Sequence, residues 1–186
     1  GSTNILTNTS RRMYLRGKWG SLSVFIRRNR LWGTRKCCSA AQFDINETLT
    51  SDLKIGAYAE VKHCFNQSSV KTFSDISGDN NPLHIDDEVA KASQFGGTIV
   101  HGILVSSLFS TLFGRTIPGS IYINQSMTFR KPVKVGAPVI ARIEVNRVSS
   151  KRPGVFITCR TTCRLADDGM LAVDGEATVL IPHSST

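Results

Sequence analysis

The chain has 186 residues, of which 40% are hydrophobic and 8% aromatic. This composition is typical of one globular domain with an appendage and excludes a disordered chain or two full domains. No run approaches the roughly 20 apolar residues that a membrane helix requires, so we predict no membrane span. The formal net charge of +9 would favour a nucleic-acid-binding protein if the charge belonged to the folded part.

The positive charge lies in the first 43 residues. Nine of the 23 Lys and Arg residues precede residue 44 and none of the 14 acidic residues does, so the rest of the chain is electrically balanced. Apolar residues recur at helical spacing among the basic ones between Met13 and Ile26. A basic, amphipathic, acid-free segment is typical of a mitochondrial transit peptide. We therefore predict a leader over residues 1–43 and a folded domain over residues 44–186.

A second interpretation of residues 1–43 is a basic arm that binds RNA or anionic lipid through phosphate contacts. The balanced charge of residues 44–186 argues against nucleic acid as the partner of the domain itself. The apolar stretch between Leu22 and Ile26 is too short for a secretory signal, and Arg27 and Arg28 follow it at once.

Five cysteines occur in the chain, and none has the spacing of a zinc site. Cys159 and Cys163 share parity in a strand-like run. We therefore predict that both are buried free thiols, and we predict no metal centre.

The first half of the domain is predicted to be mainly helical. An alternating strand precedes the helices, and a run that is apolar around most of its circumference follows them, which indicates a helix buried on nearly all sides. In chain order, the sequence predicts a strand over 55–65, a helix over 70–77 capped by Ser68 or Ser69, a second helix over 86–93, and the apolar helix from about 102 to 113, ended by Gly114.

The second half of the domain alternates apolar and polar residues with a period of two, which indicates strands. These strands are predicted over residues 121–130, 139–146, 155–165 and 171–181. Short links with turn residues join them, so we predict an antiparallel meander. The economical solution is an α+β domain in which a curved antiparallel sheet wraps the apolar helix.

Two segments carry residues suited to acid–base chemistry. Asp79 and His84 lie on one polar loop, although such a pair in isolation is more often a capped turn with a surface histidine. Gly102 lies where the apolar helix exposes unpaired N–H groups, which favour an oxyanion. An acid–base pair beside an oxyanion site suits enolate chemistry on a thioester. His101 is predicted to be a packed scaffold residue.

The same segments resemble a known family. Ser77-Gly-Asp79-x-Asn-Pro-Leu-His84 is similar to the hydratase-2 motif of the MaoC-like, (R)-specific enoyl-thioester hydratases and dehydratases. Residues 99–110 resemble the entrance to that family's central helix, and residues 119–133 resemble the strand that follows it. The resemblance covers about residues 55–181, and with the basic leader it extends to the family's mitochondrial members, the hydroxyacyl-thioester dehydratases of type 2.

The resemblance implies a hot-dog fold, a homodimer and reversible dehydration of (3R)-3-hydroxyacyl thioesters to trans-2-enoyl thioesters. The acyl group would be carried on acyl carrier protein or coenzyme A, in fatty acid synthesis in the mitochondrial matrix. Asp79 and His84 match the catalytic pair, Gly102 matches the oxyanion donor, and Ser110 matches a helix position that faces the substrate pocket. The family uses neither a metal nor a redox cofactor.

Two other functions fit parts of the pattern. A hot-dog thioesterase would use the same helix end to polarise the carbonyl but would hydrolyse the thioester. An RNA- or protein-binding module would use the basic leader as its contact surface.

Overall fold

The computed structural model describes residues 45–47, 49 and 53–183 of the chain. The predicted leader over residues 1–43 lies outside these residues. Within the described part, no helix is long and apolar enough to cross a membrane.

One antiparallel sheet of six strands forms the larger part of the domain. Its spatial order is β1-β2-β4-β5-β6-β3, so β1 and β3 are the two edge strands. The strands are β1 (Ile45–Glu47), β2 (Tyr58–Cys64), β3 (Ile121–Phe129), β4 (Pro138–Lys151), β5 (Gly154–Leu165) and β6 (Leu171–Pro182).

Four helices lie between β2 and β3 in the chain. They are α1 (Gln67–Ser77), α2 (Pro82–Ile85), α3 (Asp87–Ala92) and α4 (Gly102–Thr116). The side chain of Asn66 caps α1 by accepting from Ser69 N, so the predicted cap at Ser68 or Ser69 is wrong by two or three residues. The short helix α2 and the short strand β1 were not predicted.

The core forms where α4 packs against the sheet. On the helix side, Leu108, Phe109, Leu112 and Phe113 are buried. Alternate residues of the strands pack against these side chains. In β4 the packing residues are Val139, Ala141, Ile143 and Val145. Burial of each large apolar side chain contributes about 1.5–3 kcal/mol to stability. The predicted α+β domain, with an antiparallel sheet around an apolar helix, is confirmed.

The predicted meander is correct for β4, β5 and β6 and wrong for β3. Strand β3 pairs with β6, not with β4. Residues 130–137 join β3 to β4, and this link is longer than the two- to five-residue loops of most hairpins. The link can therefore carry the chain across the end of the sheet to the far side of β5 and β6.

The apolar sequence of α4 predicted burial on nearly all sides. In the structure one stripe of the helix is exposed. Ile103 is 56% exposed, and Ser107, Ser110 and Gly114 along the same stripe are also exposed. The helix continues through Gly114 to Thr116. An apolar sequence predicts burial of a face but does not tell whether that face is covered by its own chain.

The two β5 cysteines are free and buried, as predicted. Burial raises the pKa of both thiols to about 12, and for Cys159 the nearby Glu176 adds to the effect. A thiol in the unfolded chain ionises nearer its ordinary value of about 8.5. Above that value the unfolded state is favoured by ionisation, while the folded thiols stay protonated.

We therefore expect the free energy of unfolding to fall as pH rises from about 9 towards 12. Urea denaturation at pH 8 and pH 10.5 measures the fall. The variant Cys159→Ala/Cys163→Ala should show a shallower fall than the parent chain. An identical pH dependence in both proteins would contradict the assignment to these thiols.

Candidate active site

The loop that carries Asp79 begins at the end of α1. Gly78 ends the helix in a left-handed conformation (φ 76°) and its N–H donates to Ser74 O, a conformation that glycine adopts without strain. The hydroxyl of Ser77 accepts from Asp79 N at 3.2 Å and donates to Phe73 O at 2.7 Å. These contacts turn the chain sharply and set Asp79 at the start of the loop with its side chain half exposed.

Helix α2 places His84. The side chain of Asn81 accepts from Leu83 N at 3.1 Å and caps the helix, and Pro82 occupies its first position, where a missing N–H costs nothing. His84 falls in the last turn. The Asn-Pro pair thus starts one helical turn that presents the histidine.

Hydrogen bonding fixes the tautomer of His84. Its Nδ1 lies 2.8 Å from Ile99 O, and since a carbonyl only accepts, Nδ1 carries the hydrogen. The neutral ring therefore has its lone pair on Nε2. Ile99 N also donates to Leu83 O at 3.1 Å, so the segment before α4 holds both the backbone and the side chain of the histidine loop. His84 is arranged to accept a proton at Nε2.

His101 lies beneath both predicted catalytic residues. It is 2% exposed, its ring centroid is 3.8 Å from that of His84, and its Nε2 is 3.1 Å from Asp79 O. Ser74 Oγ lies 3.3 Å from the same nitrogen. The sequence predicted a scaffold residue, and the structure places this residue against both functional side chains.

The hydrogen bond to Asp79 fixes which nitrogen of His101 is a donor. Nε2 carries a hydrogen because it faces the carbonyl oxygen of Asp79. Nδ1 is buried with no partner among the described residues. Nε2 also lies 4.0 Å from Asp79 Oδ2.

The three residues could in principle surround a metal ion, because one ligand atom of each lies within 4.8 Å of the others. However, Nε2 of His101 already donates its hydrogen to a carbonyl oxygen, and its Nδ1 is sealed in the core. Only Asp79 and His84 turn lone pairs towards the open side. Two protein ligands are fewer than the three or four that zinc sites provide. The arrangement suits proton transfer better than metal binding.

Gly102 is the first residue of α4, and no side chain caps this helix. The first N–H groups of a helix lack partners within it, and the helix dipole adds positive potential there. The ring of Phe129 packs directly over Gly102: a Cβ at this position would lie 2.6 Å from Phe129 Cε1. The absence of a side chain thus lets the aromatic ring pack against the backbone at the helix terminus.

A cavity of about 340 Å³ joins His84 to Gly102. Its walls include the apolar side chains of Val105, Phe129 and Val173. Another groove, of about 390 Å³, lies between α1 and the start of α4, but none of the predicted catalytic residues lines it. The cavity at His84 and Gly102 is therefore the candidate substrate site.

Comparison with known proteins identifies the family. The model of the MaoC-like domain matches residues 46–163. The chain belongs to the MaoC-like dehydratase family. It is 42% identical over 132 residues to an (R)-specific enoyl-CoA hydratase of Aeromonas caviae. The aligned residues cover 70% of this chain and 96% of that protein.

A second relative and a solved structure are also similar to this MaoC-like domain. A protein of Arabidopsis thaliana named "3-hydroxyacyl-[acyl-carrier-protein] dehydratase, mitochondrial" is 31% identical over 131 residues, covering 70% of this chain and 79% of that protein. The solved (R)-hydratase of A. caviae, involved in PHA biosynthesis, superposes with a TM-score of 0.67 and 40% identity, covering 72% of this chain and all of that one. The predicted family and the hot-dog fold are both confirmed.

The predicted site residues of this MaoC-like domain divide into two groups. Asp79, His84 and Gly102 come together around one end of α4, although the loop and the helix terminus lie about twenty residues apart in sequence. Ser110 lies more than two turns further along α4, is exposed, and is not among the described residues that line the cavity. The roles of all four residues stay predictions.

We expect Gly102→Ala in this MaoC-like enzyme to lower kcat/KM by roughly tenfold or more, because the new methyl group must displace Phe129 from the cavity wall. A displacement of about 1 Å near reacting atoms costs up to 10²-fold. Phe129 is half exposed and can move outward. In a Phe129→Ala background the same Gly102→Ala change should therefore cost much less. Equal losses in both backgrounds would show that the ring is not the cause.

Proposed function

We propose that this protein reversibly dehydrates (3R)-3-hydroxyacyl thioesters to trans-2-enoyl thioesters. The observation that carries the proposal is the position of Asp79 and His84 close together beside the uncapped start of α4, where His84 and Gly102 line one cavity. Membership of the MaoC-like dehydratase family and similarity to named hydratases and dehydratases support it.

The chemistry follows from the polar groups at and beside the cavity. The thioester carbonyl oxygen accepts a hydrogen bond from the Gly102 N–H, so the negative charge of an enolate is stabilised; one such donor contributes on the order of 3 kcal/mol. Nε2 of His84 takes a proton from C2. The C3–O bond then breaks, and the departing hydroxyl receives that proton and leaves as water. The Asp79 carboxylate stabilises the transient imidazolium and orients the hydroxyl.

A spectrophotometric assay tests the proposal. The purified chain should hydrate crotonyl-CoA, with loss of the absorbance of the conjugated enoyl thioester and no release of free thiol. A chiral analysis of the product should give the (3R)-hydroxy thioester. Thiol release without hydration would instead support a hot-dog thioesterase, and no reaction with any enoyl or hydroxyacyl thioester would contradict the proposal.

We also propose that two copies form a homodimer along β3. In the protomer β3 pairs only with β6, so the backbone groups along its other side lack sheet partners in the described chain. Ile121 and Ile123 on this strand are half exposed, and so is Ile103 on α4. A second copy added antiparallel to β3 would satisfy the edge and extend the sheet through a two-fold axis.

Sedimentation tests the dimer. The parent chain should sediment as a dimer, whereas Ile123→Glu should shift the mass towards the monomer because it places a charge on the edge strand. Ile55→Glu, at a more exposed isoleucine outside the sheet, is the control and should stay dimeric. A monomeric parent chain at micromolar concentration would contradict this proposal.

We further propose that the enzyme acts in the mitochondrial matrix in fatty acid synthesis and that residues 1–43 are a cleaved transit peptide. The acid-free basic composition of that segment supports the proposal, and so does similarity to a plant dehydratase that is named as mitochondrial. Residues 1–43 fused to a fluorescent protein should be imported into mitochondria and shortened. A fusion that stays cytosolic would contradict it.

A further inference from the structure

The cavity beside His84 and Gly102 has two basic residues in its lining. Arg130 and Lys131 contribute to the same cavity as His84 and Gly102, and both side chains are exposed. None of the described residues that line this cavity is acidic. Its wall is otherwise largely apolar, so the two cations are the only full positive charges that a ligand would meet there among the described residues.

Neither cation is used to hold the fold together. Within the described part of the chain, Arg130 and Lys131 form no ion pair, whereas Arg142 is held by Glu60 and Glu144, and Arg160 by Asp174. A surface arginine or lysine beside a catalytic cavity and without an acidic partner remains available to an anion.

The backbone around the two cations is fixed. The N–H groups of Arg130 and Lys131 both point to Ala172 O, at 2.8 and 3.3 Å. The following residues then pair with the segment before α4: Val100 N donates to Val133 O at 2.8 Å and Val135 N donates to Thr98 O at 3.0 Å.

The segment 98–100 therefore connects the cations to the reaction site. On one side it pairs with residues 133–135 just after the cations, and on the other side Ile99 holds His84. Gly102 follows two residues later. The backbone of the two cationic residues thus keeps a fixed position relative to the proposed proton acceptor and oxyanion donor.

We propose that Arg130 and Lys131 bind the phosphate of a phosphopantetheine arm whose thioester lies at Gly102. The inference rests on the proposed function, because only a carrier-linked thioester brings both groups to one cavity. A phosphate presents several acceptor oxygens to arginine and lysine, which suits two adjacent cations. Coenzyme A and acyl carrier protein share this phosphopantetheine chemistry.

Three crotonyl thioesters test the inference: pantetheine without phosphate, coenzyme A, and acyl carrier protein. The measured quantity is the ratio of kcat/KM for each phosphate-bearing substrate to that for the pantetheine substrate. In Arg130→Gln/Lys131→Gln this ratio should fall about five- to tenfold, as expected for two exposed charge contacts. It should also fall with added salt in the parent chain, because salt screens exposed charges.

The matched control is Arg147→Gln/Arg152→Gln, which removes the same charge from exposed positions that do not line the cavity. The control should keep the parent ratios. A fall for both phosphate-bearing substrates supports the shared phosphate contact, and a fall for one of them supports the contact and identifies the carrier. Unchanged ratios in an active double variant would overturn the inference, and inactivity of the parent chain on all three substrates would overturn the proposed function instead.

Discussion

Replacing Asp79 with Asn, or His84 with Gln, is expected to lower kcat by about 10²–10⁴-fold, the range in which a positioned acid–base group contributes. Asn keeps the size of Asp79 and can still accept from Asn81 N, which now donates to Oδ1 at 3.3 Å. Gln can still donate towards Ile99 O. Each substitution therefore removes the proton chemistry while preserving the local hydrogen bonds.

The measurement is hydration of crotonyl-CoA, with circular dichroism and thermal unfolding to establish that each variant folds. KM should change by much less than kcat, because neither residue contacts the carrier in the proposed complex. Asp75→Asn and His183→Gln are matched controls at exposed positions outside the cavity. Folded Asp79 and His84 variants with the parent kcat would show that the assigned pair is wrong.

His101→Phe is expected to reduce kcat by about tenfold or more and to destabilise the domain. Phe keeps a ring against His84 but cannot donate to Asp79 O, so a part-buried hydrogen bond is lost, which costs about 0.5–1.5 kcal/mol. The loop that carries Asp79 then moves relative to His84, and a small displacement at the reacting atoms has a large effect on rate.

His101→Gln separates positioning from packing. Its amide can donate to the same carbonyl although it lacks the ring, so kcat should recover in part relative to His101→Phe while KM changes little. The pH profile of kcat is the second readout, because a displaced carboxylate and imidazole titrate differently. If His101→Phe lowers only the melting temperature and leaves kcat and its pH profile intact, the residue is a scaffold, as the sequence alone predicted.

The candidate acid–base pair and the candidate oxyanion donor could be picked out of the sequence because they sit in short motifs, and their roles stay predictions. Asp79 and His84 lie five positions apart on one loop, and Gly102 opens the most apolar helix-length run. Alternation with a period of two also predicted the four long strands well, and in β4 the apolar face lies in the core. These signals are local, and local signals are what a sequence shows directly.

Contacts between distant segments could not be predicted in this way. The alternation in β3 indicates a strand but does not tell which strand is its neighbour, so its pairing with β6 was missed. The pattern of α4 predicted burial of Ile103, which a single copy of the chain leaves exposed. The place of His101 depends on a loop some twenty residues earlier folding back over its ring, and no spacing rule reports that.

The common position of Asp79 and His84 has a stereochemical consequence. One ligand atom of each lies within 4.8 Å of the other, so in the proposed reaction both would act on the same face of a bound acyl chain. Removal of hydrogen from C2 and of hydroxyl from C3 would then be a syn process. Hydration of crotonyl-CoA in heavy water should consequently place deuterium at C2 on the same face as the new hydroxyl, and one diastereomer of the labelled product should dominate.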